Sequence, residues 1–360
     1  MSIRVLIAGG GTSGHINPAI SIADGIKKRD PSALVAFCGI VQGLEHDMVE
    51  KAGYPFHVIR AKGIPTRPTP KAAKALLEII KGRKMAREII RSFQPDVVIG
   101  TGGYVCVPLV SAAFKEKKPV LLHEQNAFPG RANRFLSKKA WVCTGFRDME
   151  FYFPKARGVF YTGNPVRESF FTQNREKARE QLGIPKDSFF FLAMGGSLGA
   201  ASINKAVLGL EKKEFPQKMK MLLSAGKQQH KHIDDTNTSI EIVEYIDEPA
   251  LYMAAADVLL CRTGAITCAE IAAVGVPTIL VPYPFAMENH QMFNAKRLSD
   301  IGAGYIIEDK DLNEDTLYET LISLLADENT CEKMRVSAGQ LAAKDAVEKI
   351  VEKVFALSEK

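Results

Sequence analysis

A chain of 360 residues, 46% hydrophobic and 24% charged, is too long for one comfortable core and reads as two globular domains of a soluble protein. No apolar run reaches the roughly 18–20 residues that a membrane-spanning helix needs. The six cysteines (Cys38, Cys106, Cys143, Cys261, Cys268, Cys331) contain no CxxC pair, which points to buried thiols in a reducing cytoplasm and away from a disulfide or zinc framework. The net charge of +6 is uneven: residues 1–163 carry 25 Lys and Arg against 12 Asp and Glu, the remainder 22 against 29, so one half suits an anionic partner.

The opening MSIRVLIAGGG is too glycine-rich, and its apolar part too short, for a signal peptide; Arg4–Ala8 reads as a first strand. Gly9, Gly10, Gly11 and Gly14 follow, then a helix carrying Ile20, Ile22 and Ile26. Strands are expected at Ala33–Cys38, Phe56–Ile59, Asp96–Gly100, Val120–His123, Trp141–Thr144 and Val159–Thr162, alternating with helices. The rhythm restarts at Phe189–Ala193, with further strands near Met219–Ser224, Ile240–Val243, Val258–Cys261, Thr278–Val281 and Tyr305–Ile307. Such alternation specifies parallel sheets covered by helices on both faces. Two glycine-rich openings, at Gly9 and Gly195, imply two sheets. The fold class is therefore α/β, with two Rossmann-like, doubly wound domains. The boundary is expected near Gly163–Arg167, giving domains 1–163 and 164–344. The charged tail from Asn313 reads as two or three helices, the last (about 345–360) able to pack back on the first domain. Two such domains facing one another would leave a cleft at the carboxyl ends of their strands, where open α/β sheets bind ligands.

Gly9-x-Gly11-x-x-Gly14 matches the dinucleotide fingerprint, but the acid expected at the end of the second strand is replaced by Cys38-Gly39-Ile40, with Glu45 the nearest. That speaks against a dehydrogenase. His15 follows the last glycine at a helix start; it is a candidate base or, alternatively, a structural histidine. Thr101-Gly102-Gly103-Tyr104 and His123-Glu124-Gln125-Asn126 end two more strands, and four polar residues directly after VLL are unusual as mere loop. In the second half, Gly195, Gly196 and Gly199 allow a sharp turn, so that Ser197 and the next helix start face a ligand, an arrangement that attracts phosphate. A tight connection with glycines for packing alone is the alternative. Arg167, in GNPVR, is placed to reach a phosphate. The helix after Cys261-Arg262-Thr263-Gly264-Ala265 carries Glu270, whose two oxygens suit both hydroxyls of a ribose; otherwise it is a solvated glutamate. Gln291 and Asn294 are candidates for sugar hydroxyls. The one DxD, Asp309-Lys310-Asp311, reads as loop and helix cap.

Ten basic residues lie between Arg60 and Arg91 (Arg60, Lys62, Arg67, Lys71, Lys74, Lys81, Arg83, Lys84, Arg87, Arg91), against Glu78 and Glu88, interleaved with Leu76, Leu77, Ile79, Ile80, Met85, Ile89 and Ile90. Part of this is an ordinary amphipathic helix. The surplus charge favours an anionic membrane surface, where each basic residue contributes about 1 kcal/mol. No recognised nucleic-acid module accompanies the patch, so nucleic acid is not an expected partner.

The motifs GGGTSGH, GTGGY, HEQN, GNPVR, GGSLGA, CRTGAITCAE and HQMFNA, in this order and spacing over nearly the whole chain, resemble the MurG family of N-acetylglucosaminyltransferases. The resemblance implies a GT-B glycosyltransferase with acceptor bound mainly by the first domain and UDP-GlcNAc by the second. It assigns pyrophosphate to Ser197, with Gly196 beside it, and to Arg167. It assigns ribose to Glu270 on the helix opened by Ala265, uracil to the backbone around Ile246, and GlcNAc to Gln291. His290 stands where glutamine is frequent, and Ser13 where glycine is. Thr12, Ser13, Gly14, Tyr104 and Asn126 match acceptor positions, and the membrane patch falls on Lys71, Lys74, Leu76, Leu77, Ile80 and Lys81. His15 and Glu124 match catalytic positions: His15 as base, with Glu124 orienting it or serving as base itself. The implied reaction is inverting transfer of GlcNAc to the 4-hydroxyl of the undecaprenyl-pyrophosphoryl-MurNAc-pentapeptide, from lipid I to lipid II. It would need no cofactor or metal and would run at the cytoplasmic face of the cell membrane, with other cell-wall synthesis proteins as possible neighbours. The rival readings are a UDP-GlcNAc 2-epimerase, a diacylglycerol glycosyltransferase, a non-catalytic nucleotide-sugar-binding regulator and an NAD-dependent oxidoreductase.

Overall fold

The structure is a computed structural model that describes residues 2–65, 69–233 and 238–359; Arg67 of the basic stretch lies outside the described residues. The chain divides into two compact units, residues 1–166 with 345–360, and residues 167–344.

In the first unit the elements run β1 (Arg4–Gly9), α1 (Ser13–Arg29), β2 (Leu34–Gly39), α2 (Leu44–Lys51), β3 (Phe56–Val58), α3 (Pro70–Phe93), β4 (Val97–Gly102), α4 (Cys106–Lys115), β5 (Val120–Glu124), α5 (Arg131–Leu136), β6 (Trp141–Thr144) and β7 (Gly158–Tyr161). The sheet order is β3-β2-β1-β4-β5-β6-β7, with every pairing parallel. The chain reverses direction across the sheet between β1 and β4, the switch point where doubly wound folds bind ligands. β1, β4 and β5 are buried almost throughout, as continuous apolar runs must be when helices cover both faces.

The second unit repeats the pattern: α6 (Ser169–Thr172), α7 (Arg175–Gln181), β8 (Phe189–Met194), α8 (Ala201–Gly209), β9 (Met219–Ser224), β10 (Glu241–Val243), α9 (Pro249–Ala255), β11 (Val258–Cys261), α10 (Ala265–Val274), β12 (Thr278–Leu280), α11 (His290–Ser299), β13 (Gly304–Ile306), α12 (Glu314–Ala326) and α13 (Glu328–Gly339). Its parallel sheet has the order β10-β9-β8-β11-β12-β13, with the switch between β8 and β11. All six cysteines are free, and five of them are buried.

The last helix, α14 (Ala346–Ser358), belongs to the first unit. Its Ile350, Val351, Val354 and Leu357 join the core formed by Ile22, Ile26 and the β1–β4 strands. The approach to α1 is close because Gly25 has no side chain; a Cβ there would run into Val347 and lie 3.0 Å from Val351 Cγ2. No helix among the described residues is long and apolar enough to cross a membrane. Gly25→Val is expected to overpack the α1–α14 contact and destabilise the first unit by about 1–3 kcal/mol, read as a lower urea midpoint for the full-length chain.

Candidate functional site

In the first unit the candidate residues gather at three strand ends. β1 pairs with β4 until Ala8, where the register slips so that Gly9 lies opposite Gly102. The slip brings two glycine turns against each other. Gly102 (φ +108°) and Gly103 (φ +75°) sit in the left-handed region, which favours glycine. A Cβ on Gly102 would lie 2.8 Å from Nδ1 and 2.9 Å from Cε1 of His15, and one on Gly103 would strike the Gly10 carbonyl. The His15 ring thus lies against the backbone of GTGGY. Thr101 Oγ1 donates to the His15 carbonyl at 2.8 Å, tying β4 to the first turn of α1.

Thr12 is the N-cap residue of α1, yet its side chain makes no capping hydrogen bond and no acid occupies the first turn. Helices α8, behind Ala200, and α10, behind Gly264, start in the same way. By contrast, α12 and α13 are capped by Asn313 and Asp327 and carry acids in their first turns. Helices α3, α4, α5, α9 and α11 likewise lack a side-chain cap and a first-turn acid, so an uncapped start by itself does not mark a ligand site, although each leaves the positive end of its dipole open.

Beneath the first loop, Glu45 is 1% exposed. Its carboxylate accepts from the backbone N–H groups of Gly11 and Ile40, each at 3.4 Å, and fills the space beside Gly10, Gly39 and Gly43. The acid nearest the dinucleotide position is thus folded into the loop as a brace. Burial, and then the Glu45 charge, raise the Tyr104 hydroxyl above its ordinary value; the Tyr104 ring lies along Gly11 and Gly63.

The HEQN segment divides its labour in a way the sequence does not show. Glu124, 1% exposed, has both oxygens engaged. Oε1 accepts from the N–H of Asn126 (3.0 Å) and from Asn126 Nδ2 (3.1 Å), while Oε2 accepts from the N–H of Gly130 (3.0 Å) and from Asn133 Nδ2 (2.9 Å). Four donors on one carboxylate make it a brace for the loop that follows β5. The residue that meets His15 is Gln125, whose Oε1 is 3.0 Å from His15 Nδ1. The expectation that Glu124 orients His15 is corrected here: β5 ends at Glu124, and neighbouring side chains at a strand end point to opposite sides. Gln125 also contacts His123, which is fully buried and pushed down to about 4 mainly by that burial. The sequence reading names Glu45 and Gln125 without these roles and does not reach Asn133, because a buried polar brace looks like any helix or loop residue until its partners are known.

In the second unit, β8 delivers the chain to Gly195–Gly199. Gly196 and Gly199 have φ near +87°, and Ser197 is exposed at the tip. A Cβ on Gly226 would collide with the Gly199 backbone, so this loop is pressed against the turn after β9. Arg167 is exposed and lines a cavity of about 160 Å³ with Asp247, Glu248 and Leu251. Ile246 is 6% exposed and anchors the loop after β10 by its side chain. Ala265 opens α10, and Glu270 projects from its second turn, half-buried. Burial raises the Glu270 carboxyl to about 7 despite the opposing pull of Arg167. A carboxylate costly to desolvate and without an internal donor is suited to hydroxyl donors from a ligand.

Gln291 Oε1 accepts from the backbone N–H groups of Thr263 (3.2 Å) and Tyr283 (3.0 Å). Its acceptor is therefore committed, and a ligand would meet only its NH₂ donors. Asn294 is 0% exposed and donates to the Thr263 carbonyl at 3.1 Å. It lies one turn further along α11, on the core side, and so cannot serve a sugar hydroxyl. His290 Nδ1 donates to the Met287 carbonyl at 2.9 Å. Asp309 of the DxD is held by Arg262 and by Ser202 Oγ at 2.5 and 2.6 Å, and Asp311 gives its carbonyl to Thr316 beside the α12 cap. Among the described residues, no cluster of three or more His, Cys, Asp or Glu is placed to hold a metal ion.

Residues 5–142 match the glycosyltransferase family 28 N-terminal domain and residues 190–350 its C-terminal domain. The chain is 41% identical, over 97% of both chains, to a UDP-N-acetylglucosamine--N-acetylmuramyl-(pentapeptide) pyrophosphoryl-undecaprenol N-acetylglucosamine transferase of Acetivibrio thermocellus. It is 40% identical to the like-named protein of Caldanaerobacter subterraneus, over 98% of this chain and 99% of that one. The crystal structure of Acinetobacter baumannii MurG superposes with a TM-score of 0.79 at 28% identity, covering 99% of this chain and all of that one. The calicheamicin glycosyltransferase CalG4, at 14% identity and a TM-score of 0.71 over 100% of this chain and 99% of that one, shares the fold.

The raised Glu270 carboxyl carries a stability signature. Its folded value of about 7 lies above the ordinary 4.5, so the folded state holds the proton more tightly than the unfolded chain, and ionisation penalises folding progressively as pH rises from 4.5 through 7. Glu270→Gln removes that penalty. Its Tm in the absence of ligand is expected to exceed that of wild type at pH 8, with the gap closing towards pH 4.5, as read by differential scanning calorimetry.

Proposed function

The chain belongs to the MurG family of glycosyltransferases, and from that premise we propose that it transfers N-acetylglucosamine from UDP-GlcNAc to the 4-hydroxyl of undecaprenyl-pyrophosphoryl-MurNAc-pentapeptide, with inversion at the anomeric carbon. This is the lipid I to lipid II step of peptidoglycan synthesis, on a GT-B fold. The observation that carries the reading is about 40% identity to relatives of that name along almost the entire length of both chains, which spans both sheets and every motif loop.

His15 is the general base: it takes the hydroxyl proton as the new glycosidic bond forms, a contribution of about 10²–10⁴-fold. The acceptor lies along Thr12, Ser13 and Gly14 at the start of α1, and along Tyr104 and Asn126. Glu124 serves by holding the Asn126–Gly130 loop in place. In the second unit Glu270 takes the ribose hydroxyls, the main chain at Ile246 reads the uracil, and Gln291 donates to the sugar. Gly196, Ser197 and the α8 start, with Arg167, meet the charge that grows on the departing diphosphate, and preorganised donors of this kind act without reorganising. Ala265 closes the site at the α10 start. With Asp309 engaged by Arg262 and Ser202, these groups carry the leaving-group charge, so transfer is expected to persist in chelator. UDP-GlcNAc is then a substrate and no cofactor is required.

Membrane docking at the cytoplasmic face is supported by α3. Ala75, Gly82, Ala86 and Ile90 face the core. Leu76, Leu77 and Ile80 are 51%, 56% and 47% exposed, beside exposed Lys71, Lys74 and Lys81. An apolar strip flanked by lysines suits an anionic leaflet that carries the polyprenyl-linked acceptor.

Transfer of labelled GlcNAc to a short-chain lipid-linked acceptor tests the reading. His15→Ala is expected to lose kcat by about 10²–10⁴-fold, and Glu270→Ala to raise the donor KM. Because ribose hydroxyls donate to an ionised carboxylate and Glu270 titrates at about 7, the wild-type donor KM should rise by about tenfold per unit as pH falls below 7. UDP binding without transfer would overturn the acceptor assignment. Reversing Lys71, Lys74 and Lys81 to Glu should weaken binding to phosphatidylglycerol vesicles by roughly 100-fold or more, with kcat on the short-chain acceptor unchanged.

A further inference from the structure

Three side chains in the first unit form a continuous hydrogen-bonded line whose two fixed ends are backbone carbonyls. His123 Nε2 faces the Gly163 carbonyl at 3.3 Å, and a carbonyl only accepts, so Nε2 carries the proton. His123 is fully buried and neutral at physiological pH, so its Nδ1 holds a lone pair. Gln125 Nε2 meets that Nδ1 at 2.8 Å and the His123 carbonyl at 3.1 Å. Both are acceptors, and the second is backbone and cannot change role, so the NH₂ end of the amide must lie here and Oε1 at the far end. Oε1 stands 3.0 Å from His15 Nδ1. An amide oxygen only accepts; the proton of neutral His15 is therefore on Nδ1. Nε2, which has no hydrogen-bond partner among the described residues, is left with the lone pair.

We infer that Gln125, polarised by the buried His123, is a positioning residue that selects the Nδ1–H tautomer of His15 and so presents Nε2 as the proton-accepting atom. This rests on the reading of His15 as general base and deepens it. Gly102 and Gly103 contribute by letting the ring come close to their backbone, with Nδ1 at Gln125. In the transfer step, His15 Nε2 accepts the proton of the 4-hydroxyl while that oxygen bonds to the anomeric carbon, and the bond to UDP breaks with its electron pair leaving on the diphosphate. The imidazolium so formed keeps its Nδ1–H···Oε1 bond, which strengthens as the ring becomes charged. The arrangement does with an amide what the carboxylate of a Ser-His-Asp triad does for its histidine, where the wrong tautomer costs about 10⁴-fold.

The test is a long-range ¹H–¹⁵N spectrum of the full chain labelled at histidine nitrogens, taken at pH 8 and assigned with His15→Ala. The expected spectrum shows a protonated Nδ1 and an unprotonated Nε2 for His15. In Gln125→Met, which cannot accept, the protons should redistribute towards Nε2, and kcat should fall by about 10- to 1,000-fold with both KM values within threefold of wild type. Gln125→Glu, which restores an acceptor, should retain the Nδ1–H signature. A wild-type His15 protonated on Nε2, or an unchanged tautomer in Gln125→Met, would overturn the inference whatever the transfer rate. An undiminished kcat in His15→Ala would instead sink the general-base reading, and the tautomer assignment would stand.

Discussion

In a doubly wound parallel sheet every strand releases the chain at the same edge, and the next helix must start there. The site in each unit depends on this constraint. It gathers the ends of β1, β4 and β5 in the first unit, and of β8, β11 and β12 in the second, at one rim of each sheet. Residues more than a hundred positions apart, such as His15 and Gln125, come within hydrogen-bond distance without any long loop having to reach across. Within each unit the same geometry points several helix starts towards that rim. The starts of α1, α8 and α10 carry no side-chain cap, a feature they share with α3, α4, α5, α9 and α11.

Glycine makes the convergence possible at close quarters. At the β1–β4 junction the backbones of Gly10 and Gly103 approach nearer than any side chain would allow, and the left-handed turn at Gly102–Gly103 seats an imidazole where other residues would place a Cβ. The repeat of this device at Gly199 and Gly226 shows how the second unit meets the same packing problem. In each unit buried polar groups hold the motif loops. Glu124 takes four loop donors on its carboxylate, Glu45 accepts one backbone N–H on each oxygen, and Arg262 and Ser202 hold Asp309. Such networks hold one loop conformation, and losing one partner leaves a costly orphan; Asn133 already carries one, since its buried Oδ1 has no hydrogen-bond partner among the described residues.

Glu270 departs from this pattern. It is a half-buried carboxylate whose pKa burial raises and which has no hydrogen-bond donor among the described residues, set in a helix that is otherwise apolar on most sides. Its cost in the free protein and its proposed service to a ribose are two aspects of one desolvation, the usual trade between stability and function at a binding site.

The amino-acid sequence by itself determined the α/β class, the two sheets and nearly every strand, because apolar runs bounded by glycine and polar residues have a local period that survives any tertiary context. It also marked the loops that matter, since glycine-rich turns and polar clusters such as GGGTSGH, GTGGY and HEQN sit at strand ends. Tertiary structure alone decided which member of each cluster does what. Glu124, the more reactive group on paper, is consumed as a brace, and Gln125 beside it meets His15. Gln291 offers only donors because Thr263 and Tyr283 occupy its oxygen, and Asn294 turns inward to the Thr263 carbonyl. Hydrogen-bond partners, and with them tautomer and protonation, are properties of a three-dimensional neighbourhood: the period of a strand or helix says which face a residue occupies, and its neighbours from other strands say what chemistry is left to it.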